Sequence, residues 1–101
     1  MPISGDSYTF NDENISNSPT DEGVYALYNG TVTIYIGKGE GENGIRARLQ
    51  AHKRGDEGVC TLQATAYRRE LCEDPTLREA ELLQEYKQTY GHLPPCNERI
   101  G

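Results

Sequence analysis

The sequence predicts a small α/β (α+β) domain, a three-stranded antiparallel sheet with flanking helices. Three observations carry that prediction. Within residues 23–37, two runs rich in Val, Ile, Leu, Thr and Tyr flank Asn29-Gly30, the composition of a β-hairpin around a two-residue turn. Residues 62–71 alternate as a third strand would. Residues 45–54 and 75–90 read as helices, each followed by a glycine stop at Gly55 and Gly91. At 101 residues the chain makes one domain with a modest core.

Residues 1–22 are polar, and only Ile3, Tyr8, Phe10 and Ile15 offer anchors. They read as a loose leader ahead of a domain spanning 23–101, with an edge strand over 8–10 as the alternative. In the hairpin, Asn29-Gly30 suits a type I′ turn, because both residues tolerate φ > 0. Strict alternation puts Tyr25 on a face with Gly23 and Leu27. It puts Thr31, Thr33, Tyr35 and Gly37 on one face of the second strand, and Val32, Ile34 and Ile36 on the other. The two tyrosines then meet across the sheet, each with a hydroxyl that needs a partner.

The loop over 38–44 holds three glycines but lacks the Gly-Lys-Ser/Thr ending of a phosphate-binding loop, and Glu40 and Glu42 would repel phosphate. The first helix, capped by Asn43 or its neighbours, sets Ile45, Leu49 and His52 on one side. Arg48 lies beside that stripe, one turn before His52. Residues 56–61 are a loop. The run over 62–71 is also rich in helix formers, so a helix is its alternative. Asp74-Pro75 opens the last helix as N-cap and first residue. Prolines stiffen the tail after it.

A net charge of −6 argues against a general nucleic-acid binder. The distribution softens this. Over residues 38–54, Lys38, Arg46, Arg48, Lys53 and Arg54 against Glu40 and Glu42 leave +3, so the remainder carries −9. A local positive surface can orient a phosphate backbone, although a charge run is also a common solvated helix face. No run has the length of a membrane helix, and the first residues carry no basic-then-apolar signal pattern. Three cysteines fit no zinc spacing and leave one unpaired in any disulfide scheme. The expectation is a cytoplasmic protein, with Cys60, Cys72 and Cys96 as small apolar residues.

The last helix carries the sharpest local clue. At about 100° per residue, Leu82, Leu83, Tyr86 and Tyr90 cluster within roughly 50° of one direction. Glu79 points the same way, one turn earlier, whereas Glu81 and Glu85 point to solvent. A carboxylate at the end of a buried stripe needs a cation; its plain alternative is a favourable interaction with the helix dipole.

Taken together, Gly23-Val24-Tyr25 and Tyr35-Ile36-Gly37, ten residues apart, resemble the paired triplets of the GIY-YIG nuclease superfamily. Arg48 and His52 on a first helix, Glu79 followed by Leu82 and Leu83 on a later one, and Asn97 in the tail resemble the rest of its motif set in order. The resemblance covers residues 23–97. Lys38 follows the second triplet, where the branch of the superfamily in bacterial nucleotide excision repair also has lysine. Val24 departs from the family's Ile. A count back from Asn97 would select Glu85 instead of Glu79; the direction each residue faces favours Glu79.

The resemblance implies a divalent-metal-dependent endonuclease acting on DNA, with RNA not excluded, that nicks one strand per active site and serves in settings such as DNA repair. It implies a single Mg²⁺ or Mn²⁺ held by Glu79, which suffices when water and phosphate supply the other ligands. It implies Tyr25 as base, Tyr35 as its positioning partner, His52 as proton acceptor or relay, Arg48 and Lys38 as phosphate-side cations, and Gly37 and Asn97 in support. Each residue alone has an ordinary structural explanation; their joint order carries the reading. The alternative is a non-catalytic module of the same fold that binds nucleic acid or protein. The acidic charge leaves room for a partner protein or domain that supplies DNA contacts.

Overall fold

The structure, a computed structural model, describes residues 2–97. Among them the elements run β1 (Tyr8–Thr9), α1 (Asp12–Ser16), β2 (Gly23–Asn29), β3 (Val32–Gly39), α2 (Gly44–Arg54), a 3₁₀ turn (Cys60–Gln63), β4 (Ala66–Leu71) and α3 (Pro75–Tyr90). The strands form one sheet in the order β1-β4-β2-β3, with every pairing antiparallel. The expected three strands are present, and β1 adds a fourth. The strand expected over 62–71 starts only at Ala66, because the preceding residues wind into the 3₁₀ turn.

Much of the stretch expected as a loose leader is built into the core. Tyr8 and Thr9 pair with Tyr67 and Ala66, and Phe10, Ile15 and Ser18 are buried. Tyr8 stacks on Tyr67 at 5.5 Å, Phe10 meets it edge-on at 6.0 Å, and Ser18 Oγ lies 2.8 Å from its hydroxyl. The edge strand given as the alternative over 8–10 is thus the one that forms, over Tyr8–Thr9; two residues are too short to show a period. The leader also caps α2. Asn43 makes no side-chain cap bond. Instead Ile45 N–H donates to the Asp21 carbonyl and Arg46 N–H to that of Pro19, satisfying two donors that a helix start leaves open. Gly44, with φ at +41°, allows this approach: a Cβ there would run into the Asp21 and Thr20 carbonyl oxygens.

The hairpin turn sits one residue later than its sequence suggests. Asn29 pairs with Val32, so Gly30 and Thr31 make the turn. Only Gly30 has positive φ there, the requirement of a II′ rather than a I′ turn. A bulge between Leu27 and Tyr28 then shifts the register. Strict alternation fails at that point: Ile34 joins Tyr35 on the α2 side instead of Ile36 on the other.

The sheet separates two clusters. On the α2 side lie Tyr25, Leu27, Ile34, Tyr35, Tyr67, Ile45 and Leu49. On the α3 side lie Val24, Ala26, Ile36 and Leu82. Asp74 caps α3 by accepting from Leu77 N–H, and Gly91 ends it in the left-handed conformation. The apolar stripe of α3 is shorter than expected, since Tyr90 is 61% exposed and rests on Tyr86 at 4.5 Å. Arg78 on α3 donates from Nε to Glu70 on β4 at 2.6 Å, so an ion pair fastens one edge of that face.

The cysteine expectation is corrected. Cys60 and Cys96 are joined in a disulfide that fastens the tail to the 3₁₀ turn, and Cys72 is the remaining thiol. The two cysteines, 36 positions apart in sequence, are brought together only by the chain's path round the sheet, which no spacing rule encodes.

Candidate active site

β2 and β3 hold Tyr25 and Tyr35 on the α2 side of the sheet, where Leu27 faces Tyr35 and Tyr25 faces Gly37. Their rings are 6.1 Å apart. His52, from the last turn of α2, packs against both, at 5.5 Å from Tyr25 and 4.8 Å from Tyr35. The Tyr25 hydroxyl lies 2.7 Å from His52 Nε2, and His52 Nδ1 lies 2.9 Å from Thr61 Oγ1. All three side chains are buried. The result is a sealed hydrogen-bonded line from β2 through α2 to the 3₁₀ turn.

Gly37 makes this packing possible. A Cβ there would lie 2.6 Å from the Tyr25 oxygen and 2.7 Å from the Tyr35 ring, inside any tolerable contact. Asn97 brackets the same strand from the tail. Its Oδ1 accepts from Ile36 N–H and its Nδ2 donates to Ile36 O, both at 2.9 Å. Cys96 N–H donates to Ile34 O at 2.8 Å.

Outside this line, Tyr35, Lys38, Glu40, Arg48 and Glu79 surround a hollow of about 330 Å³. Glu79 therefore reaches the tyrosine side of the molecule from the first turns of α3. Glu85 lies elsewhere, in an apolar groove with Tyr28, Ile36, Leu82 and Tyr86. Lys38 donates to Thr76 Oγ1 at 2.9 Å and pairs with Glu40 at 3.4 Å. Arg48 pairs through Nη2 with Glu57 at 2.7 Å, while its buried Nε has no hydrogen-bond partner.

Burial dominates the electrostatics. It pushes the Tyr25 phenol far above its ordinary value; Tyr35 adds to this and Arg48 opposes it. Tyr35 shifts the same way for the same first cause. Burial also lowers His52 to about 4, with Arg48 assisting and Glu57 opposing. The imidazole is thus neutral at pH 7, and one of its nitrogens can accept a proton. Burial raises Glu79 too, against the pull of Lys38 and Arg48. Arg48 pulls Tyr25 toward phenolate, but burial outweighs that pull, and Glu57 takes up part of the Arg48 charge.

Access differs within the tyrosine pair. Tyr25 has no exposed surface, whereas Tyr35 keeps 8% and forms the wall of the hollow. The Tyr25 oxygen is shut off from water as the side chains stand.

Among the described residues no group of three or more His, Cys, Asp or Glu side chains gathers as a metal cage. Zinc, which takes a closed set of N and S ligands, does not fit. A hard cation with mostly water and phosphate ligands does fit, because Glu79 is half-buried, makes no hydrogen bond within the described residues and faces an open hollow beside Arg48.

All eight residues singled out in the sequence lie on or directly behind this wall of the molecule. Two others were missed. Glu57 follows the stop of α2, and Thr61 sits in the 3₁₀ turn; nothing in local sequence marks either one, since each acquires its partner only through the fold.

No family model and no curated protein sequence matches the chain. Solved structures do. The chain is similar to the GIY-YIG N-terminal endonuclease domain of UvrC from Thermotoga maritima bound to magnesium, at 22% identity and a TM-score of 0.64, with 83% of this chain and 91% of that one covered. A point-mutant form of the same domain, bound to its catalytic divalent cation, gives 22% identity, a TM-score of 0.65 and coverage of 83% and 90%. The fold of this chain is that of a GIY-YIG endonuclease domain.

Proposed function

We propose that this chain, built on the GIY-YIG fold, is a divalent-metal-dependent endonuclease that hydrolyses a DNA phosphodiester and nicks one strand per active site. The observation that carries the reading is the convergence of Glu79 and Arg48 on one hollow whose wall is Tyr35, with the Tyr25–His52 hydrogen bond directly behind it. Glu79 would hold a Mg²⁺ or Mn²⁺ ion, which would supply Lewis acidity at the scissile phosphate. Arg48 binds the phosphoryl oxygens, for which its guanidinium fork is suited, and Lys38 adds a second positive charge at the rim.

Tyr25 acts as the base in this reading. Its proton passes to neutral His52 Nε2 as its oxygen takes one from the attacking water, so no free phenolate has to persist at neutral pH. That water enters past Tyr35. Glu57 holds Arg48 until phosphate displaces it. DNA is the substrate class. A role in DNA repair and a partner that adds DNA contacts belong to the same proposal, whereas the Cys60–Cys96 bridge removes the cysteine argument for a cytoplasmic location. No helix among the described residues is long and apolar enough to cross a membrane.

Supercoiled plasmid incubated with pure protein and Mg²⁺ or Mn²⁺ tests the reading. The expected product is nicked circle, lost in Tyr25→Phe and in metal-free buffer. A wild-type protein that binds DNA but leaves the plasmid supercoiled with either metal would favour a binding module instead.

A further inference from the structure

We propose that Thr61 is a positioning residue: it accepts a hydrogen bond from His52 Nδ1–H and so fixes the imidazole in the Nδ1-protonated tautomer, leaving Nε2 open toward Tyr25. The consequence for cleavage rests on the nuclease reading above; the tautomer itself does not.

Two arrangements satisfy the buried line. Either Tyr25 donates to Nε2 and Nδ1–H donates to Thr61, or Thr61 donates to Nδ1 and Nε2–H donates to Tyr25. The surroundings separate them. A phenol is a far stronger acid than an aliphatic hydroxyl, so Tyr25 is the better donor. The nearby Arg48 charge also favours release of the Tyr25 proton, which strengthens the phenol as donor to His52. Thr61 is therefore the acceptor. Only this arrangement also suits a protonated ring, whose Nδ1–H still needs an acceptor after Nε2 has taken a proton.

Thr61 is well placed to enforce the choice. It is 2% exposed, and its hydroxyl lies 2.9 Å from Nδ1. The turn that carries it is held from outside α2: the preceding residue, Cys60, is cross-linked to Cys96, next to the Asn97 that brackets Ile36. His52 is thus oriented by segments that lie far from it in sequence.

The sequence holds two histidines, so a His92→Gln background isolates His52 for long-range ¹⁵N spectroscopy. The expected result at neutral pH is a protonated Nδ1 and an unprotonated Nε2. In Thr61→Val, which keeps the side-chain volume, the population should move toward the Nε2-protonated form, and Thr61→Ser should restore it. A mainly Nε2-protonated ring in the unsubstituted protein overturns the proposal, and that measurement needs no Thr61 variant to fold. Nicking is the second readout. Thr61→Val should lower kcat roughly 10–100-fold, the range for loss of an orienting partner, with KM nearly unchanged. Thr61→Ser should recover most of it. A correct tautomer without nicking by any form would sink the nuclease reading and leave this one standing; equal kcat for Thr61→Val and wild type would overturn the positioning role.

Discussion

The two faces of the sheet share strands, yet only the α2 face buries hydrogen-bonded tyrosines among its aliphatic side chains. Against α2 the strands present Tyr25, Tyr35 and Tyr67, and every buried hydroxyl or ring nitrogen in the Tyr25–His52–Thr61 line and the Ser18–Tyr67 pair has a partner. Against α3 they present Val24, Ala26 and Ile36, which meet Leu82 with no polar group among them. Burying a polar side chain gains little over an apolar one of equal size and costs much when its partner is lost. The α3 face is therefore where stability is cheapest to obtain, and the α2 face is where polar groups are kept in fixed geometry. α3 meets the candidate site at its first turns, where Glu79 lines the hollow with Tyr35, Lys38 and Arg48.

That division predicts unequal responses to substitution. The largest expected effect is Glu79→Gln, which should lower metal-dependent nicking on the order of 10²–10³-fold, the cost of removing a group that stabilises transition-state charge, with little change in Tm. Glu85→Gln, on the same helix but in the apolar groove, should stay near wild type. Plasmid nicking across a Mg²⁺ titration distinguishes the two, and the reverse pattern would move the metal site to Glu85.

Next in size, Leu82→Ala should cost about 2–4 kcal/mol of stability, as large-to-small changes at a buried leucine do. The folded fraction should keep its kcat, because Leu82 touches the α3 cluster and not the site. Chemical denaturation with activity corrected for folded protein would check this; a loss of kcat equal to that of Glu79→Gln would end the distinction between the faces.

The third effect is pH-dependent and belongs to the α2 face. His52 stands at about 4 in the folded chain against an ordinary value of 6.5. As pH falls through 6.5 the unfolded imidazole takes a proton that the folded one refuses until about 4. Its contribution to stability is present above pH 6.5, declines between 6.5 and 4 and is flat below, on the order of 3 kcal/mol in all. The groups facing it are Tyr25, Tyr35, Arg48 and Glu57. Denaturation of wild type and His52→Gln at pH 7 and pH 4.5 isolates this share from the carboxylates. Wild type should lose more stability than the variant over that interval; equal losses would mean that His52 is already charged in the folded state.

The site was more legible in the sequence than the scaffold around it. Tyr25 and Tyr35 follow from strand alternation on either side of a turn, Arg48 and His52 from adjacent helical turns, and Glu79 from the direction of an apolar stripe. All are short-range regularities. They survived a turn displaced to Gly30-Thr31 and a bulge that turned Ile34 round, because the bulge lies on the turn side of Tyr35 and leaves Tyr25 opposite Gly37. The leader was misread because its anchors have no period to display; Phe10, Ile15 and Ser18 disclose their roles only against Tyr67 and α2.

By itself, then, the sequence determined the hairpin, the two long helices and the faces that carry Tyr25, Tyr35, Arg48, His52 and Glu79, since strand and helix geometry repeat over two to four residues and need no knowledge of the rest of the chain. Tertiary structure decided between leader and edge strand over 8–10, and it alone decided the backbone caps on α2, the Cys60–Cys96 bridge and the partners of Arg48 and His52. Those are contacts between segments separated by loops, and the packing of the whole core fixes which loop residue ends beside which helix. The same packing decided the protonation balance: solvent exclusion, which no local pattern records, keeps Tyr25 a phenol and His52 an uncharged acceptor.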